Sequence, residues 1–444
     1  MRIWVCDGIT IAPGALVKNR LGNNNNMAKW LCTVCNIYIY DEEKGDSLTG
    51  LEPETKVSDF PDSWRCPVCG AARDKLVQIS EEEYWQKARA YTDFIEKKEQ
   101  IRSILVGVDN PETTPEARQE YGRPLGLRGI GQGFGYLANF KALSKYSLKK
   151  RLITGHEDPV IETTFLGKTI SMPVLGAPMS GLSYVSNITE EDFAYNILEG
   201  CKLAGTVGFT GNTSKDYEIL HPAIMALKRV KGHGVNIFKP QSQEVLLELI
   251  KQSESEKAVA VGVDIDGAGS VNFALSGKPV FRKTIDELKE LKKSTMLPFI
   301  VKGIMCEEDA LAALSAGVDV IGISNHGGRV IDSTPGVADV LPEIVKAVRE
   351  IETGKRVVIT ADGGVRTGFD VVKMLALGAD FVLVGRPLAR EAVSSGVEGV
   401  KRILEYFKTD FKIAMIMTSC NTLEDINENI LSTHPRLGWL HQPG

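Results

Sequence analysis

The stretch Val318-Asp-Val-Ile-Gly-Ile-Ser-Asn-His-Gly-Gly-Arg329 carries the reading on which the fold turns. Its first half is a short apolar, β-branched run, as expected of a strand buried on both faces. Its second half turns abruptly polar and glycine-rich, the character of a loop whose backbone comes close to a ligand. The same change recurs along the chain. Buried strands are predicted at Pro173 to Ala177, Gly205 to Phe209, Gly234 to Phe238, Val259 to Asp264, Phe299 to Lys302, Val318 to Ile323, Val357 to Ala361 and Phe381 to Val384, with helical patterns between them. From pattern alone, these runs fit either a (β/α)8 TIM barrel or a doubly wound open sheet. The position of the unusual polar residues favours the barrel. Asp264, Lys302, His326, Asp362 and Arg386 fall at or just past the ends of different runs, and in a TIM barrel those ends converge on one site.

A barrel takes about 250 residues, and the 444 here leave room for a small appended module. With 52 basic and 57 acidic side chains the formal charge is −5. No global field would draw such a chain onto nucleic acid or an anionic membrane, so small molecules or proteins are the expected partners. No apolar run approaches the roughly 20 residues of a membrane-spanning helix, and the start lacks the ordered regions of a signal peptide. A soluble, cytoplasmic α/β enzyme is the expectation.

Residues 1–26 close on the polar tract Asn23 to Asn26 and read as a flexible extension. Residues 27–80, rich in short strands, turns and aromatics, form the small module. Residues 81–135 read as a helical spacer, Glu81 to Leu105, followed by a loop. The glycines 129, 131, 133 and 135 in that loop follow no strand and do not make a dinucleotide fingerprint. The barrel is expected over 136–431, and 432–444 as a tail.

Four of the eight cysteines form two pairs, Cys32-Thr-Val-Cys35 and Cys66-Pro-Val-Cys69. In a reducing compartment such pairs point to metal, and four thiolates make a tetrahedral site suited to iron or zinc. Asn36 and Gly70, directly after each pair, tolerate the positive φ that such a turn needs. Cys6, Cys201, Cys306 and Cys420 are scattered and read as inert thiols. A structural zinc ribbon usually separates its pairs by roughly 15 to 20 residues; here residues 36–65 intervene. The segments Trp30 to Asp46 and Phe60 to Gly70 closely resemble rubredoxin. That resemblance implies one iron held by Cys32, Cys35, Cys66 and Cys69, with zinc as the other metal such thiolates accept. It also implies a small aromatic core of Trp30, Tyr38, Tyr40, Phe60 and Trp64. A tetrathiolate iron has no open position, so its role would be to pass electrons.

In the string Ser324 to Asp332, His326 can take a proton near neutral pH and Arg329 can grip a carboxylate with two prongs. A base and an anchor together suit a substrate bearing a hydroxyl and a carboxylate. The glycine-rich stretches Asp362-Gly-Gly-Val-Arg-Thr-Gly368 and Gly385-Arg386-Pro387 follow the last two runs, where barrels often bind phosphate. The other histidines, 156, 221, 233, 434 and 441, read as structural.

Taken with Tyr136 to Ser144, Ser171 to Pro173, Ala177-Pro178 and Thr418 to Glu424, these strings resemble the FMN-dependent 2-hydroxy-acid dehydrogenase and oxidase family. The resemblance implies FMN as cofactor, with His326 as active-site base, Arg329 as carboxylate anchor and Asp264 orienting the imidazole. Lys302 would sit beside flavin N1 and O2. Pro178, Met179 and Ser180 would supply backbone near N5, and Thr210 and Asn236 would meet the ring edge. Asp362, Gly364, Arg366, Gly385 and Arg386 would hold the ribityl phosphate. It further implies a homotetramer.

Three departures bear on the substrate. Phe238 stands where the family carries a substrate-binding tyrosine, the run Asp264 to Ser270 lacks the family's second arginine, and the early family tyrosine has no counterpart. The fusion leads to the expectation that electrons pass from reduced FMN to the tethered iron, and from there to a redox protein partner. Two other readings remain at this stage. One is an FMN-dependent isomerase of the type 2 isopentenyl diphosphate isomerase kind; the other is an electron-transfer or zinc module on a degenerate barrel.

Overall fold

In a computed structural model the chain divides into two compact units, residues 1–98 and 99–444. The structure describes residues 28–34, 38–46, 49–67, 71–84, 130, 133–155, 157–184, 186, 188–214, 220–270, 273, 276–351 and 356–433. The first extension and most of the spacer and loop lie outside them, as do the last residues of the expected tail.

The first unit is a three-stranded antiparallel sheet of β1 (Lys29–Cys32), β2 (Ile39–Asp41) and β3 (Leu76–Ile79), with β1 in the middle. Over it lies the predicted aromatic core. Tyr38, Tyr40, Phe60 and Trp64 are buried together with Cys32, Cys66, Leu51, Val57 and Leu76, and Trp30 packs on the edge. The rings meet at offset and edge-on angles, Tyr40 to Phe60 at 4.9 Å and Phe60 to Trp64 at 5.0 Å, the arrangement ring quadrupoles favour. Three of the polar tips are engaged: Tyr38 donates to Asp46, Tyr40 to the Thr55 carbonyl, and Trp30 to Glu42, while the Trp64 indole N–H is buried without an acceptor among the described residues. The unit runs past the expected boundary at residue 80. Glu81–Tyr84 are helical, and Tyr84 is buried against Leu31 and Ile39.

In the second unit, eight parallel strands close into a barrel in chain order. They are β7 (Val174–Met179), β8 (Gly208–Gly211), β9 (Val235–Phe238), β10 (Ala260–Asp264), β11 (Phe299–Ile304), β12 (Val320–Ile323), β13 (Val358–Ala361) and β14 (Phe381–Val384). Strand alternation splits the side chains into two sets. Leu175, Phe209, Val235, Ile237, Ile300, Val320 and Leu383 fill one cluster. Val174, Phe238, Val261, Val263, Val301, Ile321, Ile323 and Val384 pack with the surrounding helices in another. A short hairpin, β5 (Thr163–Phe165) with β6 (Lys168–Ile170), sends Phe165 and Ile170 into the first cluster. There Phe165 meets Phe381 edge-on at 5.0 Å. The chemistry is thereby left to the opposite end, where the strands run out.

Outside the barrel, β15 (Leu431–Thr433) pairs antiparallel with β4 (Tyr146–Leu148), two residues into the expected tail. Among the described residues, no helix is long and apolar enough to cross a membrane.

Candidate active site

Beyond the C-terminal ends of the strands lies one cavity, and most of the predicted residues face it. Asp264, Lys302, His326 and Arg329 line it, as do Pro178, Met179 and Ser180 at the end of β7. Asp362, Gly364, Arg366, Gly385 and Arg386 complete the wall after β13 and β14. An imidazole, a guanidinium and two glycine-rich loops from distant parts of the sequence therefore meet at one place.

Thr210 and Asn236 do not take the positions expected of them. Alternation along β8 and β9 turns Phe209, Val235 and Ile237 into the barrel, so Thr210 and Asn236 point outward to the helices. Both are buried: Thr210 donates to Asn236 Oδ1 at 2.6 Å, and Asn236 donates to Ser253 Oγ at 3.0 Å on the helix Gln243–Ser255. Neither lines the cavity. Phe238 likewise points outward, packing edge-on to His221 at 6.0 Å between ring centres. The inward position at the end of β9 belongs to the next residue, Lys239, which sequence reasoning passed over. Counting alternation from Val235 would have found it.

His326 sits in an unusual backbone conformation, with a φ of 55°, and Gly327 and Gly328 continue it at 61° and 74°. A non-glycine residue in this region is strained and is found mainly where surrounding structure holds it for function. The glycines allow two close approaches. A Cβ on Gly328 would collide with the backbone of Gly135 and Tyr136, and one on Gly327 with the Arg386 guanidinium. Asn325 ties the loop to the helix Phe134–Ser144, donating to the Gly135 carbonyl at 3.0 Å and accepting from Asn139 at 2.9 Å.

The His326 imidazole is held on both nitrogens. Nδ1 lies 2.8 Å from Asp266 Oδ1 and 3.2 Å from Asp264 Oδ2, and Nε2 lies 3.1 Å from Lys239 Nζ. Asp264 was the expected orienting group; Asp266 is the nearer one. With a carboxylate on Nδ1 and an ammonium on Nε2, these partners select the tautomer that carries its proton on Nδ1. Asp264 also accepts from Lys239 at 2.6 Å and Lys302 at 3.3 Å. Burial alone would raise its carboxyl pKa, but His326, Lys239 and Lys302 outweigh that and hold it well below the usual range. Asp266 moves the other way, raised by burial and by the neighbouring Asp264 charge. Two carboxylates two residues apart are thus driven in opposite directions by their surroundings, a pattern found where acid and base roles are divided.

Lys302 is buried, donates to Ser324 Oγ at 2.9 Å and lies 3.6 Å from Asp362. Burial works against its charge, yet the surrounding carboxylates keep its pKa above the ordinary lysine value. Asp362 accepts from Ser324 at 2.8 Å. Its carboxylate is therefore engaged in holding Lys302 and not in the phosphate contact expected of it, which would set two anions together.

The phosphate side of the cavity carries an excess of positive charge. Burial, and then the charges of Arg329 and Arg366, pull the Arg386 pKa down to about 9. Arg386 lies over the Tyr136 ring at 4.7 Å, and Arg366 over Phe140 at 4.8 Å. Three guanidiniums line the cavity beside glycine-rich loops, a donor set that suits a phosphate group. The donor set fits FMN. Tyr136, whose ring lies under Arg386 outside the cavity lining, is a supporting residue that sequence reasoning did not single out.

In the first unit, Cys32 and Cys66 are buried in the aromatic core. The Cys32 amide donates to the Tyr38 carbonyl at 2.9 Å and the Cys66 amide to the Ala71 carbonyl at 2.8 Å, closing the two loops that contain the CxxC pairs. Cys35, Asn36, Cys69 and Gly70 lie outside the described residues. Two loops closed in this way, each presenting a buried thiol among apolar rings, fit a tetrathiolate iron.

Comparisons with known proteins agree with both halves. The FMN-dependent dehydrogenase family model matches residues 127–281 and 277–433, and the rubredoxin family model matches 29–76. 2-Hydroxyacid oxidase 1 of Mus musculus is 31% identical over 339 residues, covering 67% of this chain and 88% of the relative. A 2-hydroxyacid oxidase of Dictyostelium discoideum is 32% identical over 327 residues, covering 66% and 81%. The crystal structure of a mandelate oxidase superposes with a TM-score of 0.62 at 23% identity, covering 77% of this chain and 97% of that one, a likeness of fold. The chain belongs to the FMN-dependent dehydrogenase family and carries a rubredoxin module ahead of its flavin barrel.

Proposed function

We propose that this chain oxidises a small 2-hydroxy acid to the 2-oxo acid and passes the electrons to its own rubredoxin iron. The observation that carries the reading is the convergence of His326, Arg329 and Lys302 on one cavity, with the imidazole fixed through Nδ1. The names of the relatives support the substrate class.

His326 Nε2 takes the proton of the substrate hydroxyl, while Asp266 and Asp264 hold the Nδ1 proton and offset the positive charge that the ring acquires. Arg329 pairs with the substrate carboxylate. Its side chain lines the cavity and is open to solvent, so an incoming carboxylate can reach both prongs of the guanidinium. Bound FMN supplies the acceptor for the α-carbon hydride, and an Fe(Cys)4 centre takes up electrons singly. Lys302, held by Asp264, Ser324 and Asp362, would offset negative charge on the bound flavin ring. Pro178, Met179 and Ser180, which line the cavity, would supply backbone beside that ring. Arg366 and Arg386, with the loops at Gly364 and Gly385, would hold the ribityl phosphate. Cys32, Cys35, Cys66 and Cys69 hold the iron.

Anaerobic stopped flow with a panel of 2-hydroxy acids tests both parts. The flavin band bleaches first and the ferric band of the iron follows. A flavin that no hydroxy acid bleaches removes the oxidation reading; a bleached flavin beside an unchanged iron band removes the electron outlet alone.

A further inference from the structure

Lys239 is built into the cavity with some care. Its amide donates to Asn212 Oδ1 at 2.7 Å. Its aliphatic stem runs over Gly267, where any Cβ would collide with Lys239 Cδ. Its ammonium is tied to Asp264 at 2.6 Å and reaches His326 Nε2 at 3.1 Å. Asp264, Asp266 and His326 converge closely enough to ligate a cation, but the ammonium groups of Lys239 and Lys302 already lie on Asp264 and meet that demand.

The nitrogen that Lys239 touches is the one that must accept the substrate's proton. An oxygen within hydrogen-bond reach of Nε2, about 2.8 Å away, cannot avoid an ammonium that lies only 3.1 Å from the same atom. The oxygen therefore either displaces Nζ from the imidazole lone pair or settles beside it. In both cases an ammonium N–H comes within reach of the reacting oxygen. The strand that the resemblance expected to offer a tyrosine hydroxyl at Phe238 offers an ammonium one residue later.

We propose that Lys239 is a catalytic residue that donates a hydrogen bond to the substrate's reacting oxygen and, without substrate, caps the lone pair of His326. The assignment rests on the hydroxy-acid reading above. As the O–H bond breaks, its electron pair stays on oxygen and its proton goes to Nε2. Lys239 keeps its own protons and stabilises the charge that collects on that oxygen, which remains its acceptor when it becomes the carbonyl oxygen of the product. Asp264 holds Nζ in place throughout.

The test uses flavin-loaded full-length protein. Lys239→Met keeps the stem and removes the donor. Its flavin reduction rate per bound flavin is expected to fall about 100- to 1000-fold, the usual effect of losing one preorganised donor to a developing oxyanion. Lys239→Ala recovers part of its rate, saturably, on addition of a small primary amine. Gly267→Ala pushes the stem aside and slows reduction without loss of flavin. The 2-oxo acid product, titrated into oxidised protein and followed by the flavin absorption shift, binds Lys239→Met more weakly than wild type. A Lys239→Met protein that is reduced at the wild-type rate per flavin, or whose lost rate is matched by lost flavin, overturns the assignment while leaving the hydroxy-acid reading intact. A wild-type flavin that no 2-hydroxy acid bleaches overturns that reading and this assignment with it.

Discussion

The two cofactor regions of this chain solve opposite electrostatic problems. Around Cys32 and Cys66 the described neighbours are rings and aliphatic groups, so four thiolates would bring strong charge into an apolar shell. Around His326 the neighbours are themselves ions: Asp264, Asp266, Lys239, Lys302 and Asp362 within one hydrogen-bonded chain. The first arrangement suits a centre that changes charge by one electron and moves no atoms. The second suits a site where a proton changes owner, because each charge can be answered by a neighbour. The module should accordingly respond mainly to loss of a ligand, and the barrel to loss of any single charge.

The largest expected effect is on the proton acceptor. His326→Ala should slow anaerobic flavin reduction by roughly ten-thousand-fold, the upper end of what a general base contributes, with the iron absorption unchanged. Rapid-scan spectroscopy reads both bands in one experiment. An equal loss at both centres would mean that the two cofactor regions are not electrostatically independent. Cys66→Ser is the reciprocal change. It should empty or severely weaken the iron site, read as lost metal content, because a tetrathiolate missing one ligand loses much of its binding energy. Substrate should still bleach its flavin at the wild-type rate.

The same contrast explains what could be read from the sequence. The module was legible almost whole, because its ligands and aromatic core lie in one short stretch. The barrel strands were legible as apolar runs, down to Phe381–Val384. Where an expected strand slipped, backbone geometry was the cause. Gly205, with a φ of 75°, turns the chain after the helix Glu190–Leu203, so β8 begins at Gly208 and not at Gly205. At the site, one-residue errors mattered more. A slip of one along a strand exchanges the barrel face for the helix face, which is why Thr210 and Asn236 face the helices while Lys239 faces the cavity. Asp264 and Asp266 share a loop, and no pattern tells which carboxylate reaches Nδ1. That choice depends on where β12 delivers His326, a long-range fact.

The two carboxylates give a third, smaller effect with a defined sign. Asp264 has a native pKa well below its unfolded value. Its contribution to stability is complete above about pH 3.9, the unfolded carboxylate value, and fades only as pH falls through the native pKa. Asp266 has a raised native pKa. Its contribution is present below the unfolded value and is lost as pH rises through the native one. Asp264→Asn should therefore lower the melting temperature throughout the neutral range. Asp266→Asn should gain on wild type as pH rises. Melting curves across pH check this, and parallel behaviour of the two variants would show that the site does not drive them apart.

The smallest effect is expected in the module, and it sharpens the comparison from the other side. Tyr38→Phe removes a hydroxyl that donates to Asp46 at 2.8 Å but leaves the ring against Trp64, 5.8 Å between centres. The hydroxyl lies at the rim of the core, where water can reach the carboxylate it leaves behind, so only the net worth of one hydrogen bond is lost, about 1 kcal/mol. The ring, which shields the thiols, is untouched. Denaturant titration of the iron band should show a modestly lower midpoint with an unchanged spectrum, whereas any one of the ions around His326 cannot be edited without changing the chemistry. A shifted iron spectrum in Tyr38→Phe would mean that the polar rim, and not the apolar shell alone, sets the properties of the metal.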